Sequence, residues 1–487
     1  MNWVSACILA YVFLQLLIGF AVARRIRNEE DYLLAGRGLG YVLTTFSVFA
    51  TWFGAETCLG AAGAVYGGGL GASRADPFGY SLCLLMMGLL FALPLWKMRL
   101  MTLGDLFRLR FGASTERLAV LLMVPSSVLW AAAQIRAFGQ IFATTSSMNV
   151  EIATLLAAAV VILYTVVGGL LADAFSDVVQ GAVLIAGLLL LAFFVLTGSE
   201  SISLAPALHP ARLQLWAAGK GPWAMLESWA LPILGSLSAQ ELIQRIIAAK
   251  SPQVARRSTL MAALLYFAIG LIPLGLGLLG PALVPDLQHP EQVLVAQASR
   301  FMPPFLFVLF AGALVSAILS TVDSTLLVAA SLFGHNLLLP HLPGLGERAK
   351  LRVHRLCVVG FGAIALVLAL SAQGVYALVL EASAFGTSGI LVAMTMGLWR
   401  KKGSPLAANA ALLGGMSSYA LAAYVWKSEA PYLLSLASAA LAFALGSGVA
   451  RLRSYQSRSA SGCHEEEGES EAALQRATSA AQVSRSA

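Results

Sequence analysis

The sequence predicts an all-α polytopic membrane protein with about 13 transmembrane helices. Of its 487 residues, 59% are hydrophobic and only 11% are charged, and the mean hydropathy is +0.80. Ordinary soluble domains are about one quarter charged. Apolar runs recur from end to end, each near the ~20 residues that a helix needs to cross ~30 Å of hydrocarbon. A water-soluble fold is therefore excluded.

The predicted spans are separated by short polar segments, and several are too long for a perpendicular crossing, so tilted or broken helices are expected. In chain order they cover residues 3–22, 43–66, 77–97, 118–147, 150–170, 174–197, 223–247, 257–282, 301–334, 353–372, 374–398, 405–426 and 430–450. Residues 1–453 thus form one transmembrane domain. The Ser-rich segment 454–487 is predicted to be a disordered cytoplasmic tail.

Basic residues set the orientation of these spans. Lys and Arg concentrate in alternate loops, around residues 24–37, 97–117, 245–257, 348–355, 400–402 and 451–458. Because basic loops stay in the cytoplasm, this pattern predicts a protein of the cell (inner) membrane with its N-terminus outside and its C-terminus in the cytoplasm. The net charge of +7 is spread over these loops rather than over one face, so no nucleic-acid partner is expected.

Several ionisable residues fall inside the apolar runs, where a charge costs about 2.5–3.5 kcal/mol on insertion scales and usually lines a pathway. Asp76, Asp173 and Glu227 lie near predicted span ends, where exposure to lipid headgroups would account for them. The candidates that lie deeper are Glu56, Arg136, Asp177, Glu241, Asp323 and Glu381.

In two apolar segments a carboxylate lies close to a residue that weakens a helix or to several hydroxyl side chains. Gly54, close to Glu56, lowers helix propensity by roughly 1 kcal/mol relative to Ala. The second segment, 316–325, is rich in Ser and Thr, and its Ser320, Asp323 and Ser324 share one helical face. Oxygen ligands of this kind suit hard cations, so the segment predicts an ion pathway, although small hydroxyl residues also serve to pack helices tightly.

Enzyme motifs are missing from the sequence. It contains no G-x-x-x-x-G-K-[ST], no HExxH and no GxSxG, and its six histidines are not paired at metal-binding spacing. The protein is therefore not expected to be an enzyme.

Four motifs in order resemble the sodium–solute symporter family. They are GRGLG at 36–40, ATWFGAE at 50–56, LYTVVGGLLADAFSDVVQG at 163–181 and GALVSAILSTVDSTLLVAASLF at 312–333. Within that family the sequence most resembles the high-affinity choline transporter branch, through FATWFG at 49–54, FGYSL at 78–82, WAAA at 130–133 and YTVVGGL at 164–170. The resemblance implies a fold of the leucine-transporter type. Its two inverted five-helix repeats would cover about 43–197 and 223–398, and each would open with a discontinuous helix.

The resemblance also implies a sodium site at the break in the second span. Matched position by position, the first site would use the backbone carbonyls of Ala50, Phe53 and Ala317 and the hydroxyls of Ser320 and Thr321. Some members bind a second cation, whose ligands match Asp177, Ser320, Asp323 and Ser324. Whether one ion, two ions or a proton is coupled stays open at this point.

The solute site implied by the choline branch is a cage of aromatic rings around a quaternary ammonium. Trp52, Tyr80 and Trp130 match three of its positions, but the fourth, a tryptophan in that branch, is Ala239 here. The neighbouring polar residues are Gln240 and Glu241. Further charged residues that could reach the same cavity are Arg136, Glu56 and Glu381, or Arg136 could pair structurally with one of the carboxylates.

The sequence thus predicts a sodium-coupled symporter that imports a small organic solute by alternating access. An amine, a zwitterion or an amino-acid-like solute would suit the mixed charges. The alternatives are a symporter for a carboxylate or another non-amine solute, and a solute sensor that keeps the transporter fold without net transport. The sequence does not determine the oligomeric state.

Overall fold

The computed structural model describes residues 26–146, 148–198, 207–216, 221–371, 386–400 and 403–453, together with a few single residues elsewhere. Within these ranges every regular element is a helix, apart from one isolated bridge between Leu39 and Ala249. The all-α class is therefore confirmed. The predicted tail, Glu381, almost all of the first predicted span and the first part of the eleventh lie outside the described residues.

The helices follow one another through short connections. The first seven are α1 (Glu29–Leu34), α2 (Tyr41–Trp52), α3 (Glu56–Gly68), α4 (Ala75–Lys97), α5 (Leu103–Phe111), α6 (Ala113–Ser146) and α7 (Val150–Gly198). The others are α8 (Pro210–Leu213), α9 (Pro222–Leu234), α10 (Gln240–Ile247), α11 (Pro252–Leu283), α12 (Val293–Phe301), α13 (Pro304–Phe333), α14 (Glu347–Ser371), α15 (Thr387–Trp399), α16 (Pro405–Val425) and α17 (Pro431–Arg453).

Helix length and composition support a multi-pass membrane protein. In the described part of the chain eight helices are long and apolar enough to cross a membrane, and the bent pair α2–α3 makes a ninth. The difference from thirteen has identifiable causes. Helix α7 covers two predicted spans, and the seventh span is divided into the short helices α9 and α10. The first span lies largely outside the described residues, as does the first part of the eleventh, whose described helix α15 is short.

The break within α7 lies at Gly169 rather than between the two spans predicted from the sequence. Gly169 has a φ of +58°, a conformation that residues with a Cβ rarely adopt. A Cβ there would lie 2.7 Å from the Tyr32 ring, so only glycine lets α1 approach. The Tyr32 hydroxyl donates to the carbonyl of Thr165 at 3.1 Å, one turn before the kink. The kink therefore docks the N-terminal segment against α7.

Helix α13 lies at the centre of the bundle. It packs against α6, α7, α14 and α2, and apolar side chains such as Leu314, Ile318 and Val322 are buried along it. By contrast, α7 exposes Leu189 and Phe193. Large apolar side chains exposed along a long helix are expected where that helix faces lipid.

One end of the bundle, which we term the Arg37 end, is closed by the GRGLG segment. Arg37 donates from Nη2 to the carbonyls of Arg99 at 3.2 Å and Leu100 at 3.0 Å, and from Nη1 to that of Ile247 at 3.4 Å. The amide of Lys250 donates to the carbonyl of Leu39 at 2.9 Å. The motif thus joins α10 to the segment between α4 and α5.

A cluster of acidic and imidazole groups strengthens the same end. Oε1 of Glu29 lies 2.7 Å from Nδ1 of His335 and 3.0 Å from Nε2 of His354. Burial by itself would raise the pKa of the Glu29 carboxyl, but hydrogen bonds and charge from the two histidines outweigh it and hold that pKa below its usual value. The cluster ties the start of α1 to the ends of α13 and α14.

The expected headgroup exposure of Asp76 is wrong. Its side chain is fully buried, and its Oδ2 accepts hydrogen bonds from Thr57 and, at 3.0 Å, from Tyr266. Glu227 is half-buried, and its carboxylate accepts the amides of Tyr432 at 2.6 Å and Leu433 at 3.0 Å, in the first turn of α17. Carboxylates near span ends here are held by donors from other helices rather than by headgroups.

Candidate ion and solute sites

The first candidate site is the break between α2 and α3, which meet at 47°. Helix α2 ends at Trp52, and Phe53 leaves the helical conformation with φ −84° and ψ 69°. The amide of Ala55 donates to Oε1 of Gln134 on α6 at 3.2 Å instead of continuing the helix. A side chain from a neighbouring helix therefore satisfies a backbone group that the break leaves without a helical partner.

Gly54 lets α13 approach this break. A Cβ on Gly54 would lie 2.6 Å from Oγ1 of Thr321. The same hydroxyl lies 3.4 Å from the carbonyl oxygen of Ala50 and 3.2 Å from that of Ala317. Three of the five residues predicted for the sodium site are thus brought together.

The other two predicted ligands lie beside them. Ser320 donates its hydroxyl hydrogen to Oδ1 of Asp177, which leaves the hydroxyl oxygen able to bind a cation. Phe53 lies at the break itself, and its ring packs against Phe49 at 4.7 Å and Tyr266 at 5.2 Å between centroids. A set made only of carbonyl and hydroxyl oxygens, without sulfur or imidazole, fits a hard cation such as Na⁺.

The residues of the predicted second cation site surround an arginine. Asp177 accepts hydrogen bonds from Ser47 and Ser320, and the hydroxyl of Ser324 accepts one from Nη2 of Arg245. Asp323 is buried next to them, and neither of its carboxylate oxygens is hydrogen-bonded within the described part of the chain.

Arg245 and its partner Asp173 belong to this candidate site but were not predicted from the sequence. Arg245 was expected in a basic loop and Asp173 near the headgroups, yet both side chains are completely buried and form an ion pair. A signal was present, because Arg245 follows Glu241 by one helical turn and Asp173 precedes Asp177 by one turn. Burial was not predictable from that spacing alone.

A second break, between α9 and α10, forms a small cavity. Residues Gly235–Ser238 make a tight turn, and Ala239 is extended before α10 begins. The cavity has a volume of about 30 Å³, enough for about one water molecule, and Trp130, Gln240 and Glu241 are among its lining residues.

Hydrogen bonds fix Gln240 and Glu241 in the wall of this cavity. Ser127 on α6 donates to Oε1 of Glu241 at 2.8 Å, and Oε1 of Gln240 accepts the amide of Leu103 at 2.9 Å. The cavity therefore contains one carboxylate with a fixed orientation. Near Ala239 the wall of the cavity is formed by small side chains, two of which, Ser236 and Ser238, carry hydroxyl groups.

The three predicted aromatic residues form one cluster next to this cavity. The Trp52 ring lies edge-on to Tyr80, with 5.6 Å between centroids, and is stacked with Trp130 at 6.3 Å. Trp130 belongs both to the cluster and to the cavity wall. An aromatic face beside a carboxylate is an arrangement that attracts organic cations.

The structure does not bring Arg136 to this cavity. Its Nη1 donates to the carbonyl of Ala369 at 3.0 Å, and the side chain lines a separate, larger space of about 760 Å³. Glu56 is fully buried at the start of α3 and lines neither space. A cavity that combines Arg136 with Glu241 is therefore not formed.

The larger space, which we term the vestibule, lies where α3, α6, α7 and α14 meet near the loop before α12. Its lining residues are Gly60, Gly63, Ala64, Arg136, Gln140, Val150, Glu151, His289, Pro290, Glu291, Gln292 and Leu370. Helix α14 connects the two regions, because its His354 contacts Glu29 near the Arg37 end and its Leu370, more than four turns further along, lines the vestibule. The bundle thus has one closed end and one recessed end.

The described part of the chain contains two broken helices, α2–α3 and α9–α10, and discontinuous helices of this kind are typical of secondary transporters of the leucine-transporter type, whose fold this bundle has. The chain belongs to the sodium:solute symporter family, whose model matches residues 32–417. That membership supports sodium-coupled transport.

Individual relatives agree with this assignment. Over 398 residues the chain is 29% identical to a high-affinity choline transporter of Homo sapiens, covering 76% of this chain and 68% of that one. Over 439 residues it is 27% identical to a sodium/pantothenate symporter of Haemophilus influenzae, covering 82% and 86%. A solved structure of a Na⁺-coupled sialic acid symporter in an outward-open state has a TM-score of 0.77 at 17% identity, covering 92% and 97%. These relatives are transporters rather than enzymes, and their solutes differ.

Gly54→Ala tests the close approach of α13 to the break. The new methyl group would lie 2.6 Å from Oγ1 of Thr321, and such overpacking costs about 1–3 kcal/mol. We expect the half-saturating Na⁺ concentration for thermal stabilisation of the detergent-solubilised protein to rise about tenfold. Gly312→Ala, on α13 with open space around it, is the matched control. Equal effects of the two substitutions would show that the close packing of α13 against Gly54 does not shape an ion site.

Proposed function

We propose that the protein is a symporter that uses the sodium gradient to import a small organic solute by alternating access. The observation that carries the proposal is the position of the Thr321 hydroxyl between the carbonyls of Ala50 and Ala317 at a helix break. With Phe53 and Ser320 these groups would provide five oxygens for one Na⁺. The membrane potential adds about 2.3 kcal/mol per charge per 100 mV to the driving force.

Thr321→Ala should weaken the sodium dependence of solute uptake far more than it changes solute binding at saturating Na⁺. The substitution removes one proposed hydroxyl ligand, whereas Thr325→Ala removes a hydroxyl one turn away that donates to the carbonyls of Thr321 and Val322 within its own helix. Uptake into proteoliposomes with an inward gradient of NaCl or KCl measures the effect.

The expected result is a Na⁺ requirement raised roughly tenfold or more in Thr321→Ala and nearly unchanged in Thr325→Ala. Wild-type Na⁺ dependence in Thr321→Ala would contradict the site. Na⁺-dependent solute binding without accumulation in the wild-type protein would favour a sensor over a transporter.

We propose further that the solute is a small amine that carries a hydroxyl or similar polar group. Three aromatic rings, those of Trp52, Tyr80 and Trp130, would face its cationic nitrogen, with Glu241 as counter-charge. Cation–π attraction contributes about 2 kcal/mol when the cation is desolvated. In the choline branch a tryptophan would occupy the position of Ala239, and here the neighbouring serines offer hydrogen-bonding groups instead. Arg136, which would favour a carboxylate, lines the vestibule instead.

A thermal-shift screen of amines, zwitterions and carboxylates in NaCl should identify amines as the stabilising class. For the best amine, Glu241→Gln should lower affinity at least about 30-fold, because removing one partner of a buried charge pair costs about 2–5 kcal/mol. The amide keeps the acceptor for Ser127. Glu151→Gln, which alters a vestibule carboxylate, is the control. Stabilisation by carboxylates alone, or unchanged amine affinity in Glu241→Gln, would overturn the solute class.

The small cavity and the larger vestibule suggest how the solute enters. A space of about 30 Å³ cannot hold an organic solute, so α10 and α6 must separate during the cycle. We propose that the vestibule opens to the outside and that the Arg37 end faces the cytoplasm. This orientation follows from the basic loops, which cluster around the Arg37 end.

Cysteine labelling tests this orientation. Lys427→Cys, between α16 and α17, should react with an impermeant maleimide in intact cells. Arg348→Cys, just inside α14 on the basic side, should react only after permeabilisation. Both positions are exposed, so access to the side chain itself is not limiting. The reverse labelling pattern would show that the bundle has the opposite orientation in the membrane.

A further inference from the structure

The side chain of Arg245 occupies the middle of the residues predicted to form the second cation site. It is completely buried, and Nη2 contacts the carboxylate of Asp173 and the hydroxyl of Ser324. Nε donates to the hydroxyl of Ser47 at 3.0 Å. Nη2 also lies 3.9 Å from Oδ2 of Asp177.

Two of these four partners, Asp177 and Ser324, are residues whose oxygens a second ion would need. Asp177 and Ser324 belong to the predicted second site, and Ser47 also donates to Asp177. Arginine keeps its charge at any physiological pH, and its planar group can contact several oxygens at once. A sodium ion placed among the same oxygens would meet a fixed positive charge at close range, without water to screen it.

We propose that the guanidinium of Arg245 is the resident cation of the second ion site, so that the carrier couples one Na⁺ rather than two to each solute. The proposal rests on the sodium-coupled symport proposed above and specifies its stoichiometry. The charge that a second ion would bring is supplied by the chain and remains with it throughout the cycle.

The same arginine connects the ion region with the solute cavity. Its Nη1 donates to the backbone carbonyl of Glu241 at 3.1 Å, and the Glu241 side chain lines the cavity. Arg245 thus fixes α10 to α7 through Asp173 and to α13 through Ser324. A charge carried on α10 moves when the second broken helix moves, whereas a dissolved ion would leave at the end of each cycle.

The test compares sodium stoichiometry in the wild-type protein and in Arg245→Gln. Fluxes of ²²Na⁺ and of the amine selected by the screen are measured in the same proteoliposomes. Thermal stabilisation by NaCl, at constant ionic strength with KCl, provides a second readout that does not require transport. Arg245→Lys keeps a positive charge, and Arg212→Gln removes an arginine that binds the carbonyls of Val65 and Tyr66, away from the site.

We expect the wild-type protein, Arg245→Lys and Arg212→Gln to bind Na⁺ with a Hill coefficient of about 1. In Arg245→Gln the vacated oxygens should accept a second Na⁺, and the Hill coefficient of the thermal stabilisation should rise toward about 2. If Arg245→Gln does not fold, the double variant Asp173→Asn/Arg245→Gln removes the ion pair together and leaves Asp177 and Ser324 to bind the ion.

Two Na⁺ per solute in the wild-type protein would overturn the proposal while leaving sodium coupling intact. An unchanged single-ion dependence in both Arg245→Gln and the double variant would also overturn it. By contrast, the absence of any Na⁺ effect in the wild-type protein would refute the proposed function itself.

Discussion

The interior of this protein is organised by the need to satisfy backbone groups where a membrane helix is broken. Between α2 and α3 the chain leaves the helical path in surroundings that offer little water to hydrogen-bond free amides and carbonyls. Gln134 accepts the amide of Ala55, and Thr321 lies against the carbonyl of Ala50. The break therefore requires α6 and α13 at fixed positions, and Gly54 is the residue that lets α13 come close enough. A change at the break moves two of the most buried helices in the bundle.

A second constraint is the partial compensation of buried negative charge beside α13. Asp173 and Asp177 on α7 face Arg245 on α10, with hydroxyls from Ser47 and Ser324 completing the hydrogen bonds. Removing one partner of such a group leaves an uncompensated charge, which is far more costly than removing both. The two broken helices are thereby both held to α13, the first by the contact of Thr321 with the Ala50 carbonyl and the second by the hydrogen bond from Arg245 to Ser324. In the function proposed above, this shared contact would be a physical route by which Na⁺ binding and the shape of the solute cavity affect each other.

The two ends of the bundle differ in a way that suits a carrier. Arg37 and the Glu29–His335–His354 cluster join five separate segments at one end, whereas the other end is recessed into the vestibule. The closed end combines hydrogen bonds from Arg37 to backbone carbonyls and a few charged contacts with buried apolar side chains such as Leu39 and Ile247. In the function proposed above, the polar contacts would be exchanged for water when this end opens.

The sequence by itself determined the membrane class, most of the spans, the weak point at Gly54 and the oxygen-rich face of α13. These features depend on the length and periodicity of apolar runs and on local composition, and both are properties of a single segment. Only the tertiary structure decided that Arg245 and Asp173 are buried as a pair, that Asp76 is held by Tyr266, and that Arg136 lines the vestibule rather than the cavity of Glu241. The local sequence around a charged residue near a span end does not show whether its side chain reaches water or a partner on another helix. Its environment is decided by how distant helices rotate and pack against one another, and that information is not contained in any one segment.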